Sequence, residues 1–129
     1  MSTVQTRRDP TNRQLPTMLL KAAEAAYGKK ATAVVALDLR NVPSFTDYFL
    51  ICSGQTPRQA KAIAEAIEMA LGASGTKPAH VEGYDRSDWI LLDYFDFVVH
   101  VFTAEQRRFY SLERLWGSAD SIPVPDPPA

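Results

Sequence analysis

Five consecutive apolar residues, Tyr48-Phe49-Leu50-Ile51-Cys52, run through Ser53-Gly54-Gln55 into Thr56-Pro57-Arg58-Gln59. A strand without a polar face has to be covered on both sides. The last four residues are helix-start chemistry: a threonine N-cap, proline at the first helical position, and glutamine three residues on to complete a capping box. A doubly covered strand that passes straight into a helix is the unit of a layered α/β domain.

The same signals recur along the chain. Leu15, Met18, Leu19, Ala22 and Ala26 form one helical stripe, with Pro16 at its first turn and Gly28 placed to end it. Ala33–Leu37 is a second short apolar run. Ala60, Ile63, Ala64, Ile67 and Leu71 make the buried stripe of the capped helix, which ends near Gly72, while Lys61, Glu65 and Glu68 face outward. His80–Glu82, Trp89–Leu92 and Phe97–Phe102 read as three more strands, the last two joined as a hairpin through Asp93-Tyr94-Phe95-Asp96. Thr103-Ala104-Glu105-Gln106 repeats the capping spacing ahead of the apolar positions Phe109, Leu112 and Trp116. The order α-β-β-α-β-β-β-α predicts an α/β domain whose five-stranded mixed sheet is flanked by helices. Helices between strands require some parallel pairing, and the hairpin requires some antiparallel pairing.

The chain has 129 residues, one domain's length, with 46% hydrophobic and 22% charged residues, as in soluble globular proteins. Residues 1–14 carry few apolar groups and the end of the chain, Pro123-Val124-Pro125-Asp126-Pro127-Pro128-Ala129, is proline-rich. The expected domain is therefore 15–117, between flexible tails at 1–14 and 118–129. Fourteen basic against fifteen acidic residues give a net charge of −1, without the basic excess of a general polyanion binder. A single cysteine, Cys52, excludes an intrachain disulfide and a multi-cysteine zinc site, and its apolar neighbours mark it as core. No apolar run is long enough to span a bilayer, and the first residues lack a secretory signal's apolar stretch, so the expected location is cytoplasmic, with no membrane partner.

Glu82, Asp85, Asp88, Asp93 and Asp96 fall within fifteen residues beside Arg86 alone. A two-metal phosphoryl-transfer site needs carboxylates that converge, as alternate residues of one strand do. Asp93 and Asp96 are three apart around a turn, and Asp85 and Asp88 lie in a connection, so the group reads as an acidic rim facing solvent or a partner. Ser53-Gly54-Gln55 reads as a tight strand-to-helix turn, since it lacks the glycines and lysine of a phosphate loop. His80 and His100 have no neighbour at ligand spacing and read as structural. Of the aromatic residues Trp89, Tyr94, Phe95 and Phe97, some must pack in the core, and Trp89 and Tyr94 are the candidates for a binding surface.

Taken in order, Ser44–Gly54, Arg58-Gln59, Glu82-Gly83, Trp89–Tyr94, Val98–Phe102 and Phe109–Trp116 resemble the ribosomal silencing factor family, also called the Iojap family. The resemblance is collinear over about residues 15 to 117. It implies a nucleotidyltransferase-like topology without the catalytic residues, no cofactor and no metal. It further implies binding to the large ribosomal subunit through ribosomal protein number fourteen, which keeps the small subunit from joining and lowers translation when nutrients are scarce. The surface it implies falls on Thr46, Asp47, Tyr48, Glu82, Gly83, Trp89, Asp93, Tyr94 and Asp96, and it implies a homodimer when free. An acidic, aromatic-bearing rim suits a basic ribosomal protein better than a phosphate backbone, so no sequence-specific nucleic acid is expected. The family usually has glycine where this chain has Phe95, between Tyr94 and Asp96, which predicts a turn that is either reshaped or strained. The alternative function is a metal-dependent nucleotidyltransferase-like enzyme built on Asp93 and Asp96.

Overall fold

In the computed structural model, which describes residues 15–109 and 119–126, the elements are α1 (Thr17–Gly28), β1 (Thr32–Asp38), β2 (Tyr48–Gly54), α2 (Pro57–Ala73), β3 (His80–Glu82), β4 (Trp89–Asp93), β5 (Phe97–Thr103), α3 (Ala104–Phe109) and β6 (Asp120–Pro123). The cap that opens α2 has the expected chemistry: Thr56 is extended and its hydroxyl accepts from the Gln59 N–H at 3.1 Å. The Gln59 side chain does not return to the Thr56 N–H as a capping box would, but reaches one residue further back. Its carbonyl accepts from the Gln55 N–H at 2.6 Å, and its amide donates to the Lys29 and Lys30 carbonyls at 3.1 Å each. The start of α2 is thereby tied to the turn that ends α1. Thr103 caps α3 in the same way, accepting from the Gln106 N–H at 3.3 Å. The expected continuation to Trp116 lies outside the described residues.

The sheet is mixed, as expected, but it has six strands in the order β3-β4-β5-β2-β1-β6, not five. β2 and β5 run parallel, and every other neighbouring pair is antiparallel. The sixth strand comes from the segment that proline content assigned to a tail. Asp120–Pro123 pairs with β1, placing Ile122 opposite Ala36. The Val124 N–H then donates to the Val34 carbonyl at 3.3 Å, and the Tyr27 hydroxyl donates to the Val124 carbonyl. An edge strand needs ladder donors on one side only, so proline at its last residue is tolerated. Alternate apolar residues Ile122 and Val124 are buried and hold the strand in place.

Helices α1 and α2 cover one face of the sheet. Leu19, Ala22, Ala26, Ile63, Ile67 and Leu71 pack there against Leu50, Cys52, Ile90, Leu92, Val99 and Val101. The second face holds a smaller cluster of Leu37, Leu39, Phe49, Ile51, Val98 and Phe102, with Ala119 against it. All seven residues of β2 and of β5 are buried, which accounts for their lack of a polar face. Cys52 is fully buried, and desolvation pushes its thiol up to about 12, so it stays a protonated core side chain.

Candidate partner-binding surface

Residues directly opposite in a sheet share a face. The register sets Glu82 opposite Leu91, Leu91 opposite His100, and His100 opposite Ile51, all on the second face. His80, Asp93 and Val98 form the next such row, and Trp89 stands opposite Phe102. Three of the residues implied by the family resemblance, Glu82, Trp89 and Asp93, therefore lie on one margin of one face. The margin is acidic, and His80 pairs with Glu82 there.

Trp89 is half-buried and anchored. Its indole N–H donates to His100 Nδ1 at 3.1 Å, and its ring lies 4.9 Å from that of Phe102. Accepting at Nδ1 places the proton of neutral His100 on Nε2. Burial pushes His100 down to about 4, so it is neutral at physiological pH. Gly83 has φ +94, and a Cβ there would land on the Trp89 carbonyl oxygen and lie 3.1 Å from Ile90 Cα. Its role is thus to let the loop after β3 pass against the start of β4, where it seats Trp89.

The other residues gather at one end of the sheet, where β2 and β5 begin. Two loops are stitched together there: the Thr46 hydroxyl donates to the Phe95 carbonyl at 2.7 Å, and the Asp47 N–H donates to the Asp96 carbonyl at 3.2 Å. The Asp93 carboxylate accepts from the Phe95 N–H at 2.9 Å, so Asp93 belongs both to this tip and to the acidic margin. Asp47 and Asp96 are exposed, whereas Thr46 and Tyr48 are buried. Thr46 and Tyr48 therefore support the tip and do not present side chains to a partner.

Tyr94 departs from expectation. It is only 6% exposed, stacked 5.2 Å from Phe97, within the core cluster on the helix-covered face. It follows the last residue of β4 and turns back toward the core, so it is not an exposed anchor. Desolvation pushes its hydroxyl up to about 12, and that oxygen has no hydrogen-bond partner among the described residues. Among the described residues the exposed aromatics are its neighbour Phe95, at 74%, and Phe45, at 78%. Phe95 takes the strained option, with φ +73. Phe45 lies beside Pro43 and Ser44, outside any apolar run, and that isolation was the signal in the sequence that could have marked it as a surface residue.

The enzyme alternative gains no geometry from this arrangement. Asp93 is engaged at the turn, Asp96 points from the exposed tip, and among the described residues no three His, Cys, Asp or Glu side chains are placed to hold a metal ion. Two polar groups of the turn before α2 are likewise engaged: Gln59 takes the Gln55 N–H, and Arg107 donates to the Ser53 hydroxyl at 2.8 Å. Among the described residues no helix is long and apolar enough to cross a membrane.

Residues 12–129 match the family model described as ribosomal silencing factor during starvation. The chain belongs to the ribosomal silencing factor family. It is 42% identical over 98 residues to the ribosomal silencing factor of Bacillus subtilis, covering 76% of this chain and 83% of that one. It is 36% identical over 110 residues to the chloroplastic Iojap protein of Zea mays, covering 80% of this chain and 45% of that longer protein. A crystal structure of a Chromobacterium violaceum protein superposes with a TM-score of 0.75 at 31% identity, over 78% of this chain and 83% of that chain. The family and the mixed, helix-flanked sheet thus agree with the resemblance seen in the sequence.

Proposed function

We propose that this protein is a translation repressor of the cytoplasm that binds the large ribosomal subunit through ribosomal protein number fourteen and sterically prevents the small subunit from joining. Family membership is the observation that carries this reading. A relative from Mus musculus named for mitochondrial assembly of the ribosomal large subunit, 33% identical over 75 residues, supports the same side of the ribosome. The protein acts by occupying a surface and not by catalysis. The nucleotidyltransferase-like topology of its sheet and a homodimer when free are parts of the same inference, and the core domain, expected at 15–117, extends to take in β6.

The contact surface we assign is the acidic margin and tip: Glu82, Trp89, Asp93, Asp47 and Asp96, with Gly83 seating Trp89 and with Thr46, Tyr48 and Tyr94 holding the tip from beneath. Carboxylates around a half-exposed indole complement a basic protein surface, where the charges speed and orient association and the aromatic supplies a desolvated anchor. Calorimetry with purified ribosomal protein number fourteen tests the reading. Saturable binding that weakens in an Asp47→Asn/Asp96→Asn variant is expected. Absence of binding up to high micromolar concentration overturns the assignment of that partner.

A further inference from the structure

Phe95 is at once strained and exposed, a combination that costs stability without contributing to the core. Its positive φ is unfavourable for a residue with a Cβ, yet three interactions hold it: its N–H to Asp93, its carbonyl to the Thr46 hydroxyl, and the adjacent Asp47 to Asp96 backbone bond. Strain that surrounding structure enforces points to function. The same stitching sets the Phe45 loop against the Phe95 turn, so the two most exposed phenylalanines of the described residues share one end of the sheet.

We propose that Phe45 and Phe95 form a paired apolar anchor that inserts into an aliphatic pocket on a basic protein surface. The charge around the pair selects that partner. Segments 41–48 and 91–97 contain Asp47, Asp93 and Asp96 and no lysine or arginine. The cation next to them in sequence, Arg40, is committed to Asp38 at 2.8 Å and lies over the Tyr48 ring. RNA offers faces on which phenylalanine can stack, but its phosphates would meet the three carboxylates. A second copy of the tip would bring like charges together, which disfavours self-association through it. A basic protein surface satisfies both the apolar and the charged parts. The proposal rests on the large-subunit reading above and adds to it the residues that set residence time.

Kinetics of the full chain on immobilised large ribosomal subunits test it, alongside thermal unfolding. Phe95→Gly should raise the melting temperature by a few degrees, because glycine relieves the positive φ, while it weakens binding at least tenfold, chiefly through faster dissociation. Phe45→Ala should weaken binding comparably with little change in stability. A parent-like dissociation rate in both variants overturns the anchor while leaving the large-subunit reading intact. Failure of the parent to bind large subunits overturns both. Equal Phe95-dependent binding to naked ribosomal RNA overturns the choice of a protein partner.

Discussion

Gly83→Ala is the substitution whose consequence the structure fixes most tightly. Gly83 holds φ +94, and the added methyl would meet the Trp89 carbonyl oxygen and approach both Trp89 C and Ile90 Cα to 3.1 Å. These are backbone atoms at the start of β4, so no side chain can swing aside to make room. An L-residue in this backbone region costs about 1–2 kcal/mol. Displacing packed neighbours costs about 1–3 kcal/mol more. The expected loss is therefore about 2–5 kcal/mol, a large share of the roughly 5–15 kcal/mol of a whole domain. At roughly 4 °C per kcal/mol, the melting temperature should fall by about 8–20 °C. Urea unfolding followed by Trp fluorescence gives the free energy directly. Gly72→Ala is the control, since nothing lies within 4 Å of its Cβ position. It should be neutral or stabilising by up to about 1 kcal/mol, because alanine is the better helix former. A loss below about 1 kcal/mol for Gly83→Ala would refute the seating role assigned to this glycine.

Three further outcomes follow from the packing and the caps. Thr56→Ala removes the hydroxyl that accepts from the Gln59 N–H and should cost about 0.5–2 kcal/mol in chemical denaturation; an unchanged midpoint counts against the cap. Tyr94→Phe deletes a buried hydroxyl without a partner among the described residues and should be neutral or stabilising by up to about 1 kcal/mol, whereas Tyr94→Ala should cost about 3–5 kcal/mol; the reverse order would place the ring outside the core. Because burial holds His100 down to about 4 against 6.5 when unfolded, the unfolded chain binds the extra proton between those values, and stability should fall as pH drops through that window, by up to about 3 kcal/mol at its acid end. His100→Leu should flatten that part of the profile relative to the parent, and an unchanged slope would assign the acid sensitivity to the carboxylates instead.

The parts of the fold that were legible in the sequence are those where local chemistry and burial agree. The Thr56 cap, the uniformly buried β2 and β5 and the stripe of α2 all appear at their expected positions. β6 was hidden because proline frequency outweighed two alternating apolar residues, and only its pairing with β1 shows that Ile122 and Val124 are core. Tyr94 and Phe95 show the same limit at a turn. Both are aromatic and adjacent, and the backbone at φ +73 decides which ring enters the core. The acidic margin was visible as composition. That Glu82, Trp89 and Asp93 share a face depends on register between three strands, which spacing in one chain does not reveal.

Subunit joining is the step that a protein seated on the large subunit would block, and it can be measured directly. Purified small and large ribosomal subunits are mixed in magnesium, with and without an excess of this protein, and association is followed by light scattering and gradient sedimentation. Steric exclusion should leave fewer joined ribosomes in proportion to the protein added, with the protein travelling on the large subunit and absent from the small one. Full joining at saturating protein, with the protein left at the top of the gradient, would contradict it.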